Sequence, residues 1–502
     1  MVEVLSLLGH GFAVAATPEN LLFCLFGALI GTLIGVLPGL GPVATISLLL
    51  PATFALEPVT AIIMLSGIFY GAQYGGSTTA ILVNIPGEST SVVTAIDGYK
   101  LAQAGRAGDA LAIAAIGSFL AGVFGSIVVA FAGPSLARLA REFQSPDYFS
   151  LMVLGLIAAI VLAKGSVFRA VAMIFLGLLL GMIGMDVNTG ASRMTFGLIE
   201  LSDGISFVAI ALGLFGIAEV IQNLEGSLAR IVNRSKIERI WPSWDVLKSA
   251  RGAVMRGTLL GTVFGFLPGG GATVASFSAY ALEKRLAKDP SRFGHGAIEG
   301  VAGPEAANNS AAQTSFVPLL TMGLPTSATM ALMIGALTMH GIAPGPMVIT
   351  RQPELFWGLI ASMFIGNLML IVINLPMVGL WVRLLAVPYR LLFLIILVIS
   401  SIGIYSVSNS PFDIYLAIAF GLLGYVLRKL DCEPAPLLMG FILGPMMEEN
   451  FRRSMIISRG DPLVFFQRPF SLTLILISVV LLVTVALPAI KRKREEVFSE
   501  EE

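Results

Sequence analysis

The sequence predicts an all-α polytopic membrane protein of roughly twelve transmembrane helices, some of them broken or re-entrant, in two repeated and inverted halves. Three observations carry that prediction. Charged residues make up only 12% of the 502-residue chain and hydrophobic residues 56%, about half the charge that a water-facing surface of this size needs. Apolar runs such as Tyr148–Ala163, Val167–Met185, Ile205–Ile221, Leu391–Ile404 and Leu472–Ala489 are almost free of charge. Several approach the roughly 20 residues that cross a hydrocarbon core. Finally, one glycine-rich stretch occurs twice.

Along the chain, the first segment, Met-Val-Glu-Val, is acidic and lacks the basic start of a secretory leader, so no cleaved signal peptide is expected. The first repeat spans 1–227. Within it Gly27–Gly41 reads GALIGTLIGVLPGLG, and 230 residues later Gly257–Gly271 reads GTLLGTVFGFLPGGG. Nine of the 15 positions are identical, where chance gives about one or two. Each copy carries glycines at four-residue spacing (Gly27, Gly31, Gly35; Gly257, Gly261, Gly265), a face that lets helices approach closely in a bilayer. Pro38, Gly39 and Gly41, and likewise Pro268, Gly269, Gly270 and Gly271, then end the helix and free the backbone to approach a ligand. Backbone left unpaired inside a membrane must line a cavity or meet protein. A helix that restarts after each loop would turn its amide groups into the gap and favour an anion. A kink kept only for packing is the competing reading, and recurrence at the same place in both halves weighs against it.

Weaker echoes follow in the same order: Ile85-Pro-Gly with Leu324-Pro-Thr, Gly133-Pro–Arg141 with Leu375-Pro–Arg383, and Phe168–Asp186 with Phe412–Asp431. Duplication with Gly/Pro-interrupted apolar segments marks secondary transporters, and an inverted arrangement would give two-sided access to one site.

Two polar runs interrupt the apolar sequence beside helix-breaking prolines. The first contains Gln73, Ser77, Thr78 and Thr79 and ends at Asn84-Ile-Pro86-Gly87-Glu88. The second contains Pro304, Glu305, Asn308, Asn309 and Ser310 and leads to Gly323-Leu-Pro325-Thr326-Ser327. Their hydroxyls, amides and free carbonyls suit a sodium ion and the oxygens of a carboxylate, although buried hydroxyls also bond back to their own helix. Ser77, Thr78, Thr79, Asn308, Asn309, Ser310, Thr326 and Ser327 are therefore candidate substrate ligands together with the two loops; Gln73, Asn84 and Glu305 are candidate cation ligands. Other acidic residues in or near apolar stretches are Asp97, Glu219, Asp413, Glu448 and Glu449, where a charge is costly unless paired or used.

Between the halves, residues 228–256 form a basic linker with Arg230, Arg234, Lys236, Arg239, Lys248, Arg251 and Arg256 and two interfacial anchors, Trp241 and Trp244. The second repeat spans 257–469, a final transmembrane helix 470–490, and a charged tail 491–502. Positive-inside bias places the linker and the tail in the cytoplasm.

Several classes fall away. With 31 basic and 31 acidic residues there is no basic stripe for a nucleic acid. Cys24 and Cys432 are far apart and form neither a disulfide framework nor a metal knuckle. His10, His295 and His340 have no ligand-spaced partner, so no metal site or cofactor is expected. No phosphate-binding G-x4-G-K-[ST] loop and no H-E-x-x-H motif occurs, and an enzyme reading has no catalytic set to rest on.

These motifs, in this order, resemble the large membrane subunit of the tripartite tricarboxylate transporter family, the TctA-type permease. The stretches that carry the resemblance are Gly35–Pro51, Gly67–Gly87 with Asp97-Gly-Tyr99, Gly265–Arg285, Phe293–Gly300, Pro304–Asn309, His340–Pro346 and Leu443–Arg452. Together they cover nearly the whole chain. The resemblance implies a multi-pass protein of the bacterial inner membrane acting with a small multi-span membrane subunit and an extracytoplasmic solute-binding protein. It implies import of citrate or related di- and tricarboxylates, driven by a cation gradient such as sodium. The chain departs from the family pattern at Thr326, where a glycine is usual, and at Gln313-Thr-Ser-Phe316, where small residues are expected; both departures bear on substrate identity. The alternative is a channel or scaffold subunit without a coupled cycle, which would show flux that neither saturates nor depends on a driving ion.

Overall fold

The computed structural model describes residues 2–37, 41–163, 166–186, 188–225, 241–267, 271–384 and 389–486. Within these residues the chain is helical apart from one small hairpin. The first half holds α1 (Val2–Ala15), α2 (Pro18–Val36), α3 (Pro42–Leu49), α4 (Pro58–Val83), α5 (Val92–Gln103), α6 (Ala107–Ala140), α7 (Ser145–Leu162) and α8 (Val167–Gly181). Proline opens α2, α3 and α4, where its missing N–H would have had no helical partner. The apolar run that continues to Met185 leaves helix at Gly181. Gly184, at φ +123, turns the chain into β1 (Gly184–Met185), which pairs antiparallel with β2 (Ser192–Arg193). Next come α9 (Phe207–Ala211) and α10 (Ala218–Glu225), joined by a π-helical stretch at Leu212–Ile217.

The second half follows with α11 (Trp244–Gly265), α12 (Gly271–Leu286), α13 (Glu299–Thr314), α14 (Phe316–Met322), α15 (Ala328–Met339), α16 (Val348–Arg351), α17 (Pro353–Asn374), α18 (Val378–Leu384), α19 (Tyr389–Ser408), α20 (Pro411–Lys429), α21 (Pro434–Ile457), α22 (Val464–Gln467) and α23 (Pro469–Ala486). Among the described residues, five stretches are long and apolar enough to cross a membrane: 18–36, 107–140, 207–225, 353–374 and 411–429; shorter apolar helices accompany them. Leu476, Val479, Val480 and Val483 of α23 are exposed, as expected of a surface solvated by hydrocarbon.

The glycine faces explain the central packing. Any side chain at Gly27, Gly31 or Gly35 of α2 would run into the backbone of Met64, Ile68 or Ala72 on α4; Gly67, Gly71 and Gly75 of α4 return the contact against Cys24, Ala28 and Thr32. The partner numbers rise together, so α2 and α4 lie parallel and α3 is the return arm of a hairpin between them. The second half repeats this arrangement. Gly257, Gly261 and Gly265 of α11 nest on Gly303, Ala307 and Ala311 of α13, again parallel, with α12 as the return arm. Thr79 Oγ1 reinforces the first pair by donating to the Gly35 carbonyl at 3.0 Å, and Thr314 Oγ1 the second by donating to the Thr262 carbonyl at 3.3 Å. Between the halves the sense reverses: Ser77 of α4 meets Glu305 of α13, and Tyr70 meets Phe316 further along, so α4 and α13 run antiparallel.

Two helices, α4 and α14, end alike. Asn84 (φ 56) and Gly323 (φ 68) take left-handed conformations after α4 and α14, and Pro86 and Pro325 follow at the same distance. Glu88 and Ser327 then cap the next helical turns. The left-handed backbone is what breaks the helix, and asparagine and glycine tolerate it best.

Buried charge outside this core is ion-paired or held by several hydrogen bonds. Asp97 of α5 is fully buried; its Oδ1 accepts from the backbone N–H groups of Gly294, Gly296 and Ala297 at 2.7–2.9 Å, and its Oδ2 from the Tyr280 hydroxyl at 2.9 Å. It therefore fastens the first half to the loop that starts α13. Glu448 pairs with Arg193 and Arg452, which also hold Asp186 beside the β-hairpin. Glu219 pairs with Arg428, and Glu449 with Arg453. The paired reading holds for Glu219, Glu448 and Glu449, whereas Asp97 is satisfied by backbone N–H groups and a tyrosine hydroxyl instead of a basic partner.

Candidate binding site in the helix core

Glu305 lies in the core itself. It follows Pro304 inside α13 and is 1% exposed. Its Oε1 accepts from the Ser77 hydroxyl at 2.7 Å and from the Thr94 hydroxyl, and its Oε2 accepts from the Ser118 hydroxyl at 3.4 Å. Among the described residues no Lys, Arg or His pairs with it. Hydroxyl donors stabilise an ionised carboxylate but do not neutralise it, and an uncompensated charge in this interior is costly.

Beside Glu305 and further along α4, α13 and α17 lie buried polar atoms without a hydrogen-bond partner among the described residues. Asn309 donates to Ser118 at 2.7 Å and to the Glu305 carbonyl at 3.1 Å, yet its Oδ1 is buried without a partner. The same holds for the Tyr70 and Tyr74 hydroxyls, both amide atoms of Gln73 and Gln313, and Oδ1 of Asn308, Asn367 and Asn374. A cavity of about 20 Å³ opens against Glu305, lined by Tyr74, Ser77, Thr78, Ser118 and Asn374. That is room for one water or one ion of similar size.

Beyond Glu305 the site runs to the turn after α4. Asn308 Nδ2 donates to Glu88 Oε1 at 3.5 Å, Thr90 bonds the same carboxylate, and Ser89 Oγ lies 3.3 Å from Thr273 Oγ1 in the first turn of α12. The start of a second-half helix thus meets the broken turn of the first half. The first turn of a helix has amides without partners inside that helix, and the hydroxyls of Ser89 and Thr273 lie at this end of α12, a combination that favours the oxygens of an anion.

The sequence-predicted residues divide accordingly. Gln73, Ser77, Thr78, Glu305, Asn308 and Asn309 gather in this core. Thr79 and Ser310 are engaged between helices, Ser310 sharing a 2.7 Å bond with Thr262. Asn84 is exposed at the end of α4. Thr326, which is buried, and Ser327, which caps α15 through the Met330 N–H at 3.3 Å, belong to the other turn. Gly41 caps α3 and Gly271 opens α12; Pro38, Gly39, Pro268, Gly269 and Gly270 lie outside the described residues. Thr94, Ser118, Tyr74, Asn374 and Glu88 are additions from the structure. Asn367 and Asn374, seven residues apart in an otherwise apolar helix, carried a signal that could have found one of them: an amide inside a membrane span needs a use.

Comparison with known proteins identifies the family. The sequence profile described as the tripartite tricarboxylate transporter TctA family matches residues 21–439. An uncharacterized 52.8 kDa protein in the TAR-I ttuC' 3' region of Agrobacterium vitis is 55% identical over the full length of both chains. An uncharacterized protein in the TAR-II ttuC' 3' region of the same organism is 57% identical over 242 residues, 48% of this chain and all of the relative. No solved structure matches. The chain belongs to the tripartite tricarboxylate transporter TctA family.

Proposed function

We propose that this chain is the permease subunit of a secondary transporter that imports a di- or tricarboxylate together with a monovalent cation, sodium being the first candidate. The observation that carries the proposal is Glu305: a buried carboxylate held by hydroxyls, with no basic partner among the described residues and an ion-sized cavity beside it. One bound cation would balance its single charge, and the donors are all oxygens, which suit a hard ion. Substrate carboxylates would bind next to it, between the first turn of α12, Ser89, Thr273 and Asn308. Neutralising Glu305 in this way would remove the repulsion between its carboxylate and an anionic substrate bound beside it in low dielectric. The antiparallel setting of α4 and α13, and of the hairpins attached to them, supports an inverted repeat with access from both sides. A small membrane subunit and an extracytoplasmic binding protein would complete the system in the bacterial inner membrane.

The test is uptake of labelled di- and tricarboxylates into proteoliposomes containing all three subunits, with and without an inward sodium gradient. Saturable uptake of one carboxylate that needs the gradient is expected, and Glu305→Gln should remove the gradient dependence while leaving a folded protein. Full sodium-driven uptake by Glu305→Gln, or uptake in wild type that neither saturates nor responds to any cation, would sink the proposal.

A further inference from the structure

We propose that the outer groove between α6 and α11 binds an anionic phospholipid, with an acyl chain along the groove and the phosphate on Arg251 and Lys248 at its cytoplasmic end. The groove has a volume of about 340 Å³. Its floor is the close approach of the two helices, where a Cβ at Gly117 would lie 3.4 Å from Val254 Cγ2. Leu120 and Phe124 on one side and Leu259 on the other form exposed apolar walls. The lining contains one hydroxyl, Thr258, which donates to the Val254 carbonyl of its own helix at 2.7 Å, and one charge, Arg251. Apart from Arg251 at one end, such a surface is apolar and suits a hydrocarbon chain. From Leu247 to Leu259 it extends about 18 Å along α11, the scale of an acyl chain.

The charge at one end is what makes the occupant anionic. Arg251 and Lys248 are exposed, and among the described residues neither has an acidic partner; Asp245, nearby in α11, pairs with neither. The next arginine along α11 differs in this respect, because Arg256 is held by Glu283 at 2.6 Å. No carboxylate lines the groove. Trp241 and Trp244, 66% and 71% exposed, stand just before these two residues, the position aromatic rings take at the headgroup level. The sequence preceding them is rich in Arg and Lys, which assigns this end to the cytoplasm, where basic sites at helix ends meet anionic headgroups.

The experiment uses the purified, delipidated full-length chain. Thermal unfolding and native mass spectrometry are recorded with phosphatidylglycerol, with phosphatidylcholine of the same acyl chains, and with inorganic phosphate. Phosphatidylglycerol alone should raise the unfolding temperature and persist as a bound adduct. The double variant Arg251→Gln/Lys248→Gln, both changes on exposed side chains, should bind it about 10- to 30-fold more weakly; Arg285→Gln, an exposed arginine on α12, should behave as wild type. Equal effects of the two lipids would overturn the proposal, as would a double variant that keeps the full phosphatidylglycerol effect. So would inorganic phosphate reproducing that effect, since the site would then serve a free anion.

Discussion

At Glu305 a carboxylate that is 1% exposed depends on three hydroxyls drawn from three different helices, and each contributes a separable part of its environment. Thr94→Val keeps the shape and removes one donor to the carboxylate. Because hydrogen bonds to a charged group are worth about 1.5–3 kcal/mol, the cation concentration for half-maximal uptake should rise about tenfold or more with the protein still folded; an unchanged value would remove Thr94 from the site. Asp186 beside the β-hairpin offers a contrast. Its carboxyl is held below the usual aspartate range first by the backbone N–H groups of Thr189 and Asn188, then by Arg452 and Arg193. A folded-state pKa below the unfolded value means that its stabilisation is fully present at neutral pH. It is lost only as pH falls below the ordinary value of about 3.9. Asp186→Asn should therefore lower the unfolding temperature at pH 7, and the gap to wild type should narrow as the medium is acidified; a gap that widens on acidification would assign the effect to something else. Much of the Glu305 site was legible in the sequence, since a Pro-Glu pair beside two asparagines in apolar surroundings is conspicuous. Thr94 and Ser118 were not, because they lie 211 and 187 positions away and nothing local distinguishes them from hydroxyls bonded to their own helices.

Among the helices, the duplicated glycine faces were readable as packing surfaces, and so was the break that follows each. What the linear pattern withheld was the partner. Gly67, Gly71 and Gly75 sit within or beside a run that reads as polar and ligand-like, yet they answer Cys24, Ala28 and Thr32 on α2. Thr79 likewise reads as a ligand and serves as a clamp on Gly35. A small residue reveals that something comes close but not what, because identity resides in the neighbouring backbone. Gly71→Leu should thus be strongly destabilising: a Cβ there would lie 2.6 Å from the Ala28 carbonyl oxygen, and overpacking of this kind costs about 1–3 kcal/mol or more. A clear loss of folded protein in detergent is expected, whereas Gly9→Leu, where nothing lies within 4 Å of a new Cβ, should be tolerated. Equal stability of the two variants would contradict the close-packed pair.

Across the whole molecule, the two halves meet around Glu305 and, among other contacts, at two further ones: Asp97 on the loop before α13, and Ser89 on the start of α12. The second contact borders the proposed substrate site. A Ser89→Cys/Thr273→Cys pair, in a background without Cys24 and Cys432, should cross-link under mild oxidation because the native Oγ atoms are 3.3 Å apart. Uptake should stop and recover on reduction. Undiminished uptake by fully cross-linked protein would move the substrate path elsewhere. The opposed sense of α4 and α13 could be anticipated from duplication only as one of two options, since the number of crossings per half cannot be counted where helices break inside the membrane.

The nested glycines also constrain kinematics. Backbone carbonyls of one helix fit between backbone segments of the other at every fourth residue, like teeth in a rack. Sliding to the next notch would mean a jump of about 6 Å, with the intermediate positions blocked. The α2–α4 and α11–α13 pairs are therefore expected to travel as stiff levers, leaving the left-handed turns at Asn84 and Gly323 as the hinges at which displacement is absorbed.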